Sequence, residues 1–300
     1  LVFFHGWSKG LEARLVRQRL QVFKHFYFEA DAIVVLAKEF EQVLRAWGYT
    51  GPIYVETIAI ADELLDHFDI DRRLSKREMG VELLFLSRIE RDKGIYETID
   101  AFGLLKNKYP DLRLRIAGDG SELETAKAYV HRDGIADVEF LGYLRGSQKS
   151  EVLRRADVYV LPSSHGEGMP VSIAEAMAFG LPAVIRPVGG LRDFFVDGQM
   201  GFTTESTDSG VVAGLIERLI IDSDLRGRMA RYNHEYATAH FLASRVAQRI
   251  DSVYRDVLHD THDAKAASRS RPRWPRHVEI PAVATSEPET IKAVDERLNG

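Results

Sequence analysis

Two carboxylates and two cations, each set where a strand-like run gives way to a helical one, are the residues of this 300-residue chain best placed to do chemistry. Glu167 lies in the loop Ser164-His165-Gly166-Glu167-Gly168-Met169, which follows the apolar run Val158-Tyr159-Val160-Leu161 and leads into Pro170. Proline suits a first helical position, because the N–H it lacks would have no partner there. Glu175 falls on the helix that follows, where Val171, Ala174, Met177 and Ala178 recur as an apolar stripe at helical spacing. The unpaired amides of the first turn, with the positive end of the helix dipole, form an anion site. A carboxylate beside such a site suits a ligand with both hydroxyls and phosphates. Glutamates eight positions apart are more often solvated surface charges. These two stand out because their loop ends a buried strand, where open α/β sheets bind ligands.

The cations lie in Ser87-Arg88-Ile89-Glu90-Arg91-Asp92-Lys93-Gly94, at the end of the run Leu83 to Leu86. A guanidinium fork and a compact ammonium on one short loop can converge on a diphosphate. The residues alone read equally well as two surface cations. Three further turns end strand-like runs. Ala117-Gly118-Asp119-Gly120 reads as a tight turn, a lone Gly-x-Gly being weak evidence for more. Gly142-Tyr143 closes the run from Val138. Gly189 and Gly190 precede a short helical turn ending near Asp193, where amides can approach phosphate or sugar oxygens or simply shape a turn. His5 ends the run Leu1 to Phe4, a position more often structural than catalytic.

The elements that carry these loops follow from hydrophobic periodicity. Strand-like runs at Leu83–Leu86, Leu112–Ala117, Val138–Leu141, Val158–Leu161, Ala183–Ile185 and Gly201–Thr204 alternate with helical stretches at Ile95–Lys108, Ser121–Arg132, Ser147–Arg155 and Val171–Phe179. Such alternation predicts right-handed βαβ units on a parallel sheet. Before it come Ala32–Leu36, a helix at Lys38–Trp47, a strand from Ile53 to Ile60, and a charged connection from Leu64 to Glu78. After it, Asp208 to His240 reads as two helices and Phe241 to Leu258 as a third. From Lys9 to Phe28 a helical pattern sets Leu15, Val22 and Phe26 on one face and Arg14, Arg17 and Lys24 on another, with Glu12 the only opposing acid. A solvated face is the ordinary reading; a basic stripe can also hold an enzyme on anionic lipid. From His259 the chain loses apolar period and reads as a disordered tail.

Composition narrows the classes. Hydrophobic residues at 45% and charged residues at 28% are those of a globular protein. A net charge of −5 gives no global signal for nucleic acid. With no cysteine there is neither a disulfide nor a thiolate nucleophile. No run nears the ~18 apolar residues of a membrane span, and no signal peptide is visible.

The wording Glu167-Gly-Met-Pro-Val-Ser-Ile-Ala-Glu175, followed by Ala-Met-Ala-Phe-Gly-Leu-Pro, resembles the E-x7-E signature of glycosyltransferase family 4. Ser87-Arg88-Ile…Lys93-Gly94 is similar to the family's Gly-Arg-Leu…Lys-Gly element, with Ser in place of Gly. Glu56-Thr-Ile-Ala-Ile-Ala-Asp62 departs from the family's Pro-Asn-Gly-Val-Asp turn, and Asp193 stands where the family commonly has Glu. The resemblance covers residues 1 to 258 and is densest from Leu83 to Gly201. It implies an α/β protein of GT-B fold, two Rossmann-like domains facing a cleft, with the amino-terminal one incomplete in a chain that opens at Leu1 inside a strand.

The implied organisation is an acceptor-side domain at 1–78, a nucleotide-sugar domain at 79–240, a helix crossing back at 241–258 and the tail at 259–300. The implied activity is that of a retaining, hexosyltransferase-like glycosyltransferase acting in cell-envelope or polysaccharide biosynthesis. It uses a UDP- or GDP-sugar donor, a glycan or lipid-linked acceptor, no permanently bound cofactor and no metal. Glu167, His5, Arg88 and Lys93 are then the catalytic set. Glu175 holds the ribose, and Gly142, Tyr143, Gly168, Met169, Pro170, Val171, Gly189 and Gly190 line the donor site. A cytoplasmic location, with peripheral contact at an anionic membrane, follows from the same likeness. Two other readings use the same residues: a donor-binding module without turnover, and a sugar-nucleotide epimerase, which would not need the E-x7-E wording.

Overall fold

The structure is a computed structural model that describes residues 1–5, 12, 19–75, 80–164 and 169–267. The central strands of its larger sheet are buried on both faces, which is why they read as continuous apolar runs. β4 (Glu82–Leu86) and β7 (Val158–Leu161) are buried at every position. With β5 (Arg113–Ala117), β6 (Val138–Gly142), β8 (Ala183–Ile185) and β9 (Gly201–Thr203) they pair in parallel in the order β6-β5-β4-β7-β8-β9. Helices α4 (Ile95–Lys106), α5 (Leu123–Arg132) and α9 (Ser209–Ile221) cover one face. Helices α6 (Gly146–Arg155), α7 (Val171–Ala178) and α10 (Ser223–His240) cover the other. The chain winds outward from β4 to β6, crosses back to β7 and winds the other way.

A smaller parallel sheet of β1 (Val2–Phe4), β2 (Ile33–Val35) and β3 (Ile53–Val55) precedes it, in the order β1-β2-β3. One face carries α1 (Leu20–Tyr27) and α2 (Lys38–Ala46), packed through Phe23, Phe40, Leu44 and Trp47. The other face receives α11 (Ala243–Ala267), whose Val253 and Val257 meet Ala32 and Val34. Between the sheets run a 3-10 turn (Asp62–Leu65) and α3 (Ile70–Ser75).

Five expectations are corrected. In α1, Val22 and Phe26 are 54% and 70% exposed, whereas Phe23 is buried, stacked on Phe4 at 5.5 Å and edge-on to Trp47 at 5.4 Å. The aromatic cluster fixes the helix's rotation, so the predicted apolar face points to solvent; Lys9, Arg14, Leu15 and Arg17 lie outside the described residues. The stripe on α7 is not a stripe: Ile173 through Ala178 are all buried and Val171 is exposed, because α10 and the sheet enclose the helix. Pro170, extended at ψ 121°, caps that helix rather than opening it. The strand from Ile53 stops at Val55, Ile60 instead bridging to Leu242, and α11 continues past His259 to Ala267. The rest of the expected tail, 268–300, lies outside the described residues.

Gly118 shows how tightly the strand ends meet. Its φ is +146°, and a Cβ there would lie 1.8 Å from the Ser87 carbonyl oxygen. Gly118→Ala is therefore expected to lower unfolding free energy by about 2–4 kcal/mol in urea melts. Gly227→Ala, in helix α10 with open space at its Cβ, should instead be neutral or stabilising by about 1 kcal/mol.

Candidate active site

In a doubly wound sheet the crevice opens where neighbouring strands send their chains to opposite faces. Here that switch point lies between β4 and β7, whose following helices α4 and α7 cover different faces. The loop from β4 carries Arg88 and Lys93, and the loop from β7 leads to α7. The two are bonded together. The Asp92 carbonyl accepts the Ser164 amide at 2.8 Å and the hydroxyls of Ser163 and Ser164 at 3.2 and 3.3 Å. Gly94, at φ +79°, lies so close that a Cβ would come 2.7 Å from the Pro162 oxygen. Behind them the buried Tyr159 hydroxyl donates to the Leu86 carbonyl at 3.0 Å and meets Ser172 Oγ at 2.8 Å. Burial pushes that phenol well above its usual range.

The two cations differ. Arg88 is exposed and paired with Glu90 at 3.1 Å. Lys93 is only 3% exposed. Burial first, then the neighbouring Arg88 charge, lower its pKa below the usual lysine value, against the opposing pull of Asp92 and Glu90. A buried ammonium held below its ordinary basicity is a group whose charged form an incoming anion would stabilise.

Glu175, on the buried side of α7, pairs with Lys149 of α6 at 2.5 Å. The pair opens onto a cavity of about 580 Å³ lined also by Glu63, Leu64, Asp66, Gly146, Ser147 and Arg154. Gly142 ends β6 at φ +67°, its carbonyl accepting the Gly118 amide at 2.8 Å. Tyr143 beside it is exposed, with the Arg145 guanidinium 4.9 Å over its ring. Gly189, at φ +51°, and Gly190 precede the short helix α8 (Leu191–Phe194). Glu167 and Gly168 lie outside the described residues.

The small sheet offers its own carboxyl ends to this crevice. Thr57, beyond β3, donates to the Met169 sulfur at 3.1 Å. The backbone amide of Lys38, at the start of α2, donates to Asp193 Oδ2 at 2.7 Å. His5, exposed after β1, lies at the same end of that sheet. Glu56 is gripped by Arg249 through three contacts of 2.9 to 3.2 Å.

Sequence reasoning missed Lys149, Tyr159, Arg186 and the Glu56–Arg249 pair. Only Arg186 gave a signal, as a charge inside the apolar run Ala183-Val184-Ile185-Arg186-Pro187. Among the described residues no group of three or more acids or histidines could hold a metal ion. The Asp69-Ile70-Asp71 sequence is a helix start, Asp69 Oδ1 accepting the amides of Asp71 and Arg72.

Two parallel sheets with facing carboxyl ends, one doubly wound with cations at its switch point, define a GT-B fold. Solved structures share it. Sucrose-phosphate synthase from Thermosynechococcus elongatus superposes with a TM-score of 0.71 at 22% identity, over 86% of this chain and 68% of that one. Anabaena HepE, in complex with UDP and glucose, gives 0.69 at 20% identity, over 85% and 71%. The sequence profile described as "Glycosyl transferases group 1" matches residues 66–236, and the chain belongs to that family. Among curated relatives, glycogen synthase of Mycobacterium tuberculosis is 32% identical over 175 residues, 58% of this chain and 42% of its own. Phosphatidyl-myo-inositol mannosyltransferase of Mycobacterium leprae is 30% identical over 192 residues, 63% and 50% respectively. The chain spans about half the length of the curated relatives it matches.

If the two cations hold a diphosphate, Arg88→Ala and Lys93→Ala each weaken UDP binding by about tenfold, the scale of a charged hydrogen bond. Arg88→Ala leaves stability within about 0.5 kcal/mol, being an exposed substitution. The depressed Lys93 adds a sign. An anion raises its pKa back, so in the alkaline range where the unliganded Lys93 loses its proton, UDP binding takes up protons and weakens as pH rises. Calorimetry in buffers of different ionisation enthalpy reads this directly; unchanged affinity in both variants removes the phosphate assignment.

Proposed function

We propose that the protein is a retaining glycosyltransferase that moves a sugar from a nucleoside-diphosphate donor to a hydroxyl of a glycan or lipid-linked acceptor. The observation that carries this reading is the bonding of the Arg88–Lys93 loop to the loop entering α7, at the switch point. The glycosidic C–O bond to phosphate breaks as the acceptor oxygen bonds to the same carbon face, and the acceptor's proton passes to the departing phosphate. Arg88, Lys93 and the first amides of α7 stabilise the charge that builds on that leaving group. Glu175 takes the ribose hydroxyls, and Gly142 with Tyr143 borders the base. Gly189 and Gly190 offer amides to the donor. The motif assigns Glu167 and Gly168 to the donor sugar, with Met169, Pro170 and Val171 at the helix mouth and His5 on the opposite wall.

HepE, solved with UDP and glucose, supports a UDP-sugar, a GDP-sugar being the other candidate. The names glycogen synthase and phosphatidyl-myo-inositol mannosyltransferase support glycan or lipid acceptors. In this reading residues 1–78 form the acceptor side, 79–240 the donor side, and 241–258 the helix linking them. Among the described residues no helix is long and apolar enough to cross a membrane. The exposed Val22 and Phe26, beside Arg19, Lys24 and His25, suit peripheral contact with an anionic, cytoplasm-facing membrane surface.

Transfer or hydrolysis of a nucleotide sugar tests the activity; donor binding without either leaves a binding module. The roles of the glutamates separate in kinetics. Glu175→Gln should raise the donor KM more than it lowers kcat, since ribose contacts are alike in ground and transition states. Glu167→Gln should lower kcat with donor affinity kept, since its contacts tighten as the sugar changes charge. A Glu167 variant with full kcat and weakened donor binding would reverse the assignment. For the membrane contact, sedimentation with anionic vesicles should fall as salt rises; equal binding to neutral vesicles, or none to either, returns α1 to a solvated helix.

A further inference from the structure

Arg186, the residue after β8, is 4% exposed. Its guanidinium spans two loops: Nη1 donates to the Pro162 carbonyl at 2.7 Å and Nη2 to the Ser206 carbonyl at 2.9 Å. Its Nε is buried with no hydrogen-bond partner. No carboxylate among the described residues is paired with it. Arginine keeps its charge inside proteins, and a buried charge without an opposite charge is costly. Two carbonyl dipoles offset part of that cost and leave the rest.

The place of this charge is informative. Pro162 begins the loop from β7 toward α7, and its carbonyl oxygen also borders Gly94, next to Lys93. Three residues beyond Arg186 the chain reaches Gly189 and Gly190. Arg186 thus sits at the carboxyl end of the sheet, on the β8 side of Pro162, with the Lys93–Gly94 turn on the β4 side. A fork to two carbonyls would serve a purely structural tie, but such a tie needs only neutral donors.

We propose that Arg186 is a positioning residue for the phosphates of the donor: the fork holds the charge in place, and the charge is what the anion feels. This rests on the diphosphate reading given above. The ligand chemistry is a diphosphate group, and the base and sugar do not enter.

The test compares affinities of the whole protein for UDP and for uridine. Arg186→Gln removes the charge and keeps an amide donor; Arg186→Lys keeps the charge and loses the fork. Glutamine should weaken UDP binding by at least about tenfold, the effect of a unit charge several ångströms away at an effective dielectric near 20. It should leave uridine affinity within about twofold. Lysine, assayed near pH 6.5 so that a buried ammonium keeps its proton, should stay within about threefold of wild type for UDP. If the glutamine variant does not fold, as thermal melts will show, Arg186→Met serves the same arm. Equal losses for UDP and uridine, a lysine variant as weak as glutamine, or no loss at all would each overturn the proposal in favour of a structural tie. Should the wild type bind no UDP, or Arg88→Ala and Lys93→Ala bind it normally, the diphosphate reading fails and this inference with it. If those controls behave and Arg186 variants do not, only this inference falls.

Discussion

The hydroxyl of Tyr159, donated to the carbonyl of Leu86 and met by Ser172, ties together three elements whose relative position makes the crevice. β4 and β7 are in register only at Leu83–Val158 and Leu84–Tyr159. Beyond those pairs the chains part toward opposite faces, so the ladder cannot hold their loops. The phenol takes over at the last buried carbonyl, and the Asp92 carbonyl does the same further out by accepting from Ser163 and Ser164. A polar group buried as deeply as Tyr159 is tolerable only with partners. Its two partners belong to the strand that ends in the cations and the helix that bears Glu175.

The smaller sheet is joined to this crevice by polar contacts rather than by a shared core. Asp193 supplies α2 with a cap that its own Ala37 cannot provide. Arg249 grips Glu56, and Ser244 of α11 bonds to Asp62. A cap or a partly exposed ion pair contributes about 0.3–1 kcal/mol. Contacts of that size align two bodies without locking them, which suits a cleft that must admit and release ligand. Their location matters more than their strength: Asp193 follows Gly189 and Gly190, and Glu56 precedes Thr57, which touches Met169.

The sequence made the large sheet legible because burial on both faces leaves no alternation to misread. β7 and β8 were read to the residue, and β4 to within one. The cations at strand ends were legible for the same reason: a charge just past a buried run has few places to go. The failures share a cause. Periodicity assigns a face to a helix only if one face meets solvent, and α7 has almost none. In α1 the local pattern favoured Val22 and Phe26, but Phe4 and Trp47, distant in sequence, recruit Phe23 instead. The partners Lys149–Glu175, Glu56–Arg249 and Asp193–Lys38 are 26, 193 and 155 positions apart. No pattern along the chain encodes such pairings.

Burial orders the cations of the site in a way that spacing could not. Arg88 is exposed and has Glu90; Lys93 is buried and less basic than a free lysine; Arg186 is buried with carbonyls in place of an acid. Each step inward keeps less water to screen the charge, and so strengthens its pull on an anion while raising the cost of leaving it unmatched. On the proposed function, a diphosphate entering the crevice relieves the unfavourable electrostatics of these buried charges. Ligand binding and stability become one quantity, since whatever binds only the folded state adds its free energy to folding. On the same proposal the arrangement would act on the leaving group: cations already fixed and poorly hydrated need no reorganisation as charge moves onto a phosphate. The cost was met when the strands ends were packed, and the Tyr159 tie keeps it met.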